Sequence, residues 1–180
     1  MSELLHIKLS KNNIYLKSGF LFIWEKIMKI INCDMFTMCN TGDALCVTTN
    51  RIIKKDGKLV MGAGVAKEIK NRFPGIDSIL GKYVSKYGNR VFHIGKVIFL
   101  KKSITLFSFP TKNHWKDKSD ITLIEQSCIQ LKQLVNKFKI EGNIYIPAPG
   151  CNNGGLNWEK EVKPVVEKHL DENRYIICFN

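Results

Sequence analysis

Two glycine-rich stretches constrain this chain most, because each falls between an apolar run and a helical pattern. The first is Met61-Gly62-Ala63-Gly64, reached from the buried-strand pattern ALCVTT (residues 44–49) across a polar excursion, residues 51–60. That excursion carries a turn signal at Asp56-Gly57. The helical pattern VAKEIKNRF follows and stops at Pro74-Gly75. The second stretch, Pro149 to Gly155, follows the apolar Tyr145-Ile146-Pro147. Asn157 then suits a helix N-cap, with Glu159 and Glu161 in the first turn, where the helix dipole favours acids. Glycine lets the backbone reach positive φ and approach a ligand without an intervening Cβ. A strand, a glycine-rich loop and a helix start together present free backbone N–H groups to an anion. The same loop also serves as a plain tight turn, and one loop alone does not separate the readings. Two of them suggest a ligand with two linked phosphates.

The rest of the chain supplies a frame for these loops. Met28 opens a run, KIINCDMF, that reads as the first strand of a domain. Residues 76–87 read as a helix ended by Gly88, and residues 96–100 and 104–109 as strands. A polar loop, PTKNHWKDKS, separates the latter from a helix that Asp120 can cap. Ile121, Ile124, Cys128, Leu131, Val135 and Phe138 give that helix one apolar stripe. Pro164 should kink or split the helix that follows Asn157, and RYIICF (residues 174–179) reads as the last strand. Strands and helices alternating in this way predict an α/β sheet covered on both faces, with ligands at the carboxyl ends of the strands. Both glycine loops lie at such ends. The 180 residues, 44% hydrophobic, suit one domain with a real core. Residues 1–27 are an added strand and helix, or sequence upstream of a natural start at Met28.

Lys plus Arg is 28 against 16 for Asp plus Glu, a net charge of +12. Such a charge favours polyanionic partners, and equally describes a solvated basic surface. Six cysteines form no C-x-x-C pair and no zinc-spaced cluster with histidine. No metal or cofactor is therefore expected, and thiols within apolar runs suit a reducing, cytoplasmic setting. The run of residues 20–24 is too short to span a bilayer, so no membrane partner is expected.

The triplet Gly62-Ala63-Gly64 fails the dinucleotide fingerprint at its sixth position, Lys67, and no P-loop, HExxH, G-x-S-x-G or kinase signature is present. Met61-Gly62-Ala63-Gly64-Val65-Ala66, Phe73-Pro74, Phe109-Pro110-Thr111-Lys112-x-His114-Trp115 and Gly150-Cys151-x-x-Gly154-Gly155-Leu156-x-Trp158 together resemble the macro domain, an ADP-ribose-binding module. They resemble most the branch found in DarG-type antitoxins, which remove ADP-ribose from DNA bases. The resemblance runs from about Met28 to the end. It implies a three-layer α/β/α sandwich with a central mixed sheet over residues 28–180, acting as a monomer.

Carried over position by position, the resemblance implies ligand contacts. Asp34, with Met35 beside it, matches the acid at the adenine amino group, and Phe179 the residue stacking on adenine. Gly62, Ala63, Gly64 and Val65 match the loop around the distal ribose and diphosphate. Pro149, Gly150, Cys151, Asn152, Asn153, Gly154, Gly155 and Leu156 match the second phosphate loop. Asn50 matches an asparagine near the distal ribose and Lys112 the lysine this branch uses in catalysis, and both are expected to be catalytic. His114 and Trp115 are expected to buttress the lysine's loop.

Three departures bear on the activity. An asparagine usual three residues before Asn50 is Val47, and residues 51–60 are an insertion. An aspartate that related protein-directed hydrolases pair with the lysine falls on Gly154. A lysine-centred mechanism therefore fits better than a lysine–aspartate pair. The expected function is hydrolysis of ADP-ribose from a modified macromolecule, with DNA favoured by the basic charge. The alternatives are a phosphatase acting on ADP-ribose 1″-phosphate, for which Asp56 and His114 are the candidate loop groups, and a non-catalytic ADP-ribose-binding module.

Overall fold

The computed structural model describes residues 28–179 and, for the strands β1 (Leu5–Leu9), β2 (Asn12–Lys17) and β3 (Phe20–Trp24), the backbone alone. Those three strands pair antiparallel as a small sheet of their own. Whether residues 1–27 belong to the natural protein lies outside the described residues.

From Met28 the chain runs β4 (Lys29–Asn32), α1 (Met35–Met38), β5 (Ala44–Thr49), α2 (Gly64–Arg72), α3 (Ile76–Tyr87), β6 (His93–Phe99), β7 (Lys102–Pro110), α4 (Ile121–Lys137), β8 (Ile144–Pro147), α5 (Lys163–His169) and β9 (Tyr175–Phe179). Six strands form one sheet in the order β4-β9-β8-β5-β7-β6. The first five are parallel; β6 returns antiparallel to β7, so the sheet is mixed.

Alternating side chains on the strands divide the core into two layers. Ala44, Cys46, Phe107, Ile144, Ile146 and Ile177 face Ile124, Cys128, Leu131 and Val135 of α4 and Val166 of α5. Leu45, Val47, Leu106, Tyr145 and Ile176 face Ala66 and Ile69 of α2 and Leu80 and Val84 of α3. β5 and β7 are thus buried on both faces, which explains why they read as unbroken apolar runs. Each large apolar side chain buried in this way contributes about 1.5–3 kcal/mol.

Local chemistry sets the element ends. Asp120 Oδ1 accepts from the backbone N–H groups of Thr122 and Leu123 and starts α4. Asn157 Oδ1 accepts from Lys160 N, and a π-helical turn, Trp158–Val162, follows. Pro164 splits this stretch as expected, falling in the first turn of α5, where its missing N–H costs little. KIINCDMF is not one strand. β4 stops at Asn32, and Asp34 Oδ1 accepts from Phe36 N at 2.9 Å, turning the chain into α1.

Candidate active site

Because five strands are parallel, their carboxyl ends share one edge of the sheet, and a cavity of about 550 Å³ opens there. That volume is within the range of small-molecule sites. Both glycine loops line it. In the first, Ala63 is extended and caps α2 with no side-chain hydrogen bond. The first-turn N–H groups of α2 are therefore open to a ligand. Gly64 has a φ of +52°. A Cβ on it would lie 3.4 Å from Asn153 Nδ2, so the two loops meet at this point.

The second loop is held from beneath. Leu156 N donates to Gly150 O at 2.9 Å, Gly155 N to Cys151 O at 3.0 Å, and Ser119 N to Gly154 O at 2.8 Å. Gly150 has a φ of +76°, and a Cβ there would lie 2.7 Å from Ile124 Cδ1. A Cβ on Gly154 would overlap both the Gly150 carbonyl oxygen and the Ser119 hydroxyl. No side chain fits at 154, so the aspartate of a lysine–aspartate pair has no place in this loop. Among the described residues, the amides of Asn152, Asn153 and Gly154 donate to no protein group, and all three residues line the cavity.

Lys112 reaches this second loop. It follows β7, and the strand pairing that sets Thr49 beside Pro110 continues through the bond from Thr111 N to Thr49 O. Asp120 N donates to Thr111 O, closing the 111–120 loop at its base, and Asn89 Nδ2 donates to Lys112 O. The backbone of Lys112 is therefore fixed. Its half-buried side chain lines the cavity, and Nζ donates to Asn153 O at 2.6 Å.

Asn50 also lines the cavity, but its amide is already used. Nδ2 donates to Val60 O, and Oδ1 accepts from Ile52 N, both at 2.9 Å. These bonds close the base of the 51–60 insertion. Gly62, Ala63, Gly64, Val65, Gly150, Cys151, Asn152, Asn153 and Gly154 all line the cavity with Lys112 and Asn50. The other expected ligand residues, Asp34, Met35, Pro149, Gly155, Leu156 and Phe179, do not line it. Asp34 is exposed at the end of β4, and Met35 is buried in the core under α2 and α3. Pro149 is buried, Gly155 is exposed with a φ of +69°, and Leu156 packs under α4. The Phe179 ring meets Trp158 edge-on at 5.2 Å.

Ser119 and Glu68 line the cavity without having carried a sequence signal, and Trp115 lines it in a role other than the one expected. Ser119 is 6% exposed, and its hydroxyl has no partner among the described residues. Trp115 lines the cavity while 49% exposed, so it forms the rim rather than a buried buttress. His114 does brace the loop, its Nδ1 accepting from Lys116 N at 3.2 Å. Glu68 is the acid that lines the cavity, and it is paired with Arg72 at 2.8 Å. Asp56 and His114 do not line it. Burial, with a smaller effect from Glu161, pushes the Cys151 thiol up to about 11, so it is protonated at neutral pH and no nucleophile.

No protein-family model matches the chain. It is 30% identical over 125 residues to a DNA ADP-ribosyl glycohydrolase of Mycobacterium tuberculosis, covering 66% of this chain and 34% of that protein. It is 32% identical over 117 residues to the Thermus aquaticus enzyme of the same name, covering 62% and 31%. The chain thus spans about a third of the length of these relatives. Among solved structures it resembles the macrodomain of Thermus aquaticus DarG, with a TM-score of 0.65, 26% identity, and coverage of 86% of this chain and 98% of that one. It also resembles Thermosipho africanus DarTG in complex with ADP-ribose, with a TM-score of 0.71, 25% identity, and coverage of 86% and 42%.

Proposed function

We infer that this chain, a macrodomain similar to those of DarG, binds ADP-ribose in its cavity and hydrolyses the bond that joins ADP-ribose to a DNA base. The observation that carries the reading is the side chain of Lys112, fixed within the cavity against Asn153 O, where the two glycine loops meet. The open amides of Asn152, Asn153, Gly154 and the first turn of α2 suit a diphosphate. They hold the ligand so that its distal ribose comes to Lys112. The carbon–nitrogen bond at the anomeric carbon then breaks. Water supplies the oxygen that joins this carbon, and its proton goes to the departing base.

A lysine assists such a step in either of two ways. Its neutral amine attacks the anomeric carbon, or its ammonium stabilises charge on the ribose as the bond opens. Among the described residues that line the cavity the one acid is Glu68, which is paired with Arg72, and Gly154 admits no side chain. The Cys33 thiol donates to Cys178 Sγ at 3.2 Å, an arrangement of reduced sulfurs that suits action in the reducing cytoplasm.

The test is purified protein incubated separately with ADP-ribosylated single-stranded DNA, ADP-ribosylated protein and ADP-ribose 1″-phosphate. Release of ADP-ribose from the DNA is expected. Turnover of the phosphate ester alone would identify a phosphatase, and binding of ADP-ribose without turnover of any substrate a reader module.

A further inference from the structure

We propose that the 51–60 insertion and the 112–118 loop form a single-stranded DNA surface across the mouth of the cavity, with Trp115 as the platform on which a base stacks. This rests on the reading of the cavity as a site for ADP-ribosylated DNA. It adds where the strand runs and which residues hold it.

The insertion is built as a rigid element. Its base is closed by Asn50, which bonds both Val60 O and Ile52 N. An antiparallel bridge pairs Ile53 with Leu59, and Leu59 is fully buried with its N–H donating to Asp77 O. Gly57 O packs so closely on Gly81 of α3 that no Cβ fits there. Arg51 N then donates to Asn113 O, joining the insertion to the lysine's loop. Residues 50 and 60, at the two ends of the insertion, line the cavity, as do Lys112 and Trp115 of the other loop.

What this scaffold presents is mostly positive charge. The two segments hold seven basic and two acidic side chains, a net +5 of the chain's +12. Lys58 pairs with Asp56 at 3.6 Å and Lys118 with Glu161 at 3.2 Å. Arg51, Lys54, Lys55 and Lys116 make no ion pair among the described residues, and all four are exposed. On the loop that Arg51 N joins stands Trp115, 49% exposed, its ring stacked on His114 at 5.7 Å and 23°, with Lys116 Nζ 5.1 Å from its centroid. A half-exposed aromatic ring with a cation against it, on a loop tied to a run of unpaired cations, fits a polyanion with unstacked bases. A duplex keeps its bases stacked and gives this ring nothing to hold, so the strand is single.

The experiment measures binding of a labelled, unmodified single-stranded DNA of about 12 nucleotides, enough for a site of this kind. The wild-type protein should bind it, with affinity that falls as salt rises. Trp115→Ala should weaken binding at least about fivefold, and Trp115→Phe should retain most of it. Lys54→Gln with Lys55→Gln should lower the slope of log affinity against log salt by about 1.4, at about 0.7 for each phosphate no longer neutralised. The matched control, Lys137→Gln with Lys139→Gln at the far end of α4, should leave the slope unchanged. The inference is overturned if the oligonucleotide does not bind, if the control loses as much as the rim variant, or if a duplex of the same sequence binds as well and as sensitively to Trp115→Ala. The oligonucleotide carries no ADP-ribose, so this result is independent of hydrolysis: a protein that binds it yet cleaves no modified DNA retains the surface and loses the proposed activity.

Discussion

Lys112 Nζ donates to the backbone oxygen of Asn153 at 2.6 Å, a bond that joins the loop after β7 to the loop after β8. Asn153 in turn lies against Gly64 of the first glycine loop. Three loops from three separate strands therefore meet around one lysine and one asparagine. Their convergence depends on the five parallel strands, whose carboxyl ends share one edge of the sheet. It also depends on two glycines that leave no side chain in the way.

Gly154 is the stricter of these glycines. Gly154→Ala drives a Cβ into the Gly150 carbonyl and the Ser119 hydroxyl. The loop must shift, at a cost of about 1–3 kcal/mol of stability. A lower melting temperature and loss of ADP-ribose binding in calorimetry are expected together. Normal affinity in the alanine variant would mean that the loop does not shape the site.

Ser119 separates ligand binding from folding. Its buried hydroxyl has no protein partner among the described residues, so Ser119→Ala removes no internal bond and should leave the melting temperature unchanged or raise it. Its backbone bond to Gly154 O survives the change. ADP-ribose affinity should fall by about 0.5–1.5 kcal/mol, the size of one hydrogen bond. A lower melting temperature with unaltered affinity would make the hydroxyl structural.

Asn50 should behave in the opposite way. Asn50→Ala removes the bonds to Val60 O and Ile52 N and leaves both groups unpaired, which costs about 1–3 kcal/mol. Thermal denaturation should show the loss, and hydrogen exchange should rise across residues 51–60. A variant as stable as wild type, but inactive, would return Asn50 to a direct catalytic role.

The sequence carried the local features well and the long-range ones poorly. Helices α3 and α4 were legible because Gly88 ends one, Asp120 begins the other, and the stripe from Ile121 to Val135 has a clear period. Pro164 announced the break between the π-helical turn and α5. α1 was missed because it is a single turn, held by the Asp34 cap rather than by any repeating pattern. The strand order was not legible: β4 pairs with β9, the first and last strands of the domain, and parallel pairing leaves no turn between partners to read. The cavity residues taken from motif likeness included Gly62, Gly64, Lys112 and Gly154. Ser119 was invisible because its place depends on a bond to Gly154, 35 positions away. Trp115 looked like packing, since nothing in a polar loop tells which face of a ring meets solvent.

The central claim is that Lys112 acts on the reaction rather than on the grip. The most direct measurement is single-turnover hydrolysis of ADP-ribosylated single-stranded DNA by wild type, Lys112→Ala and Lys112→Arg, with ADP-ribose affinity measured on the same proteins. A group that works mainly in the transition state affects rate far more than ground-state binding. Lys112→Ala should reduce the rate by orders of magnitude while affinity moves by about 1 kcal/mol or less, the size of the hydrogen bond to Asn153 that the variant lacks. Lys112→Arg should not restore the rate, because a guanidinium stays protonated and cannot attack. Full activity in the arginine variant would reduce the lysine to a positive charge, and full activity in the alanine variant would contradict the account.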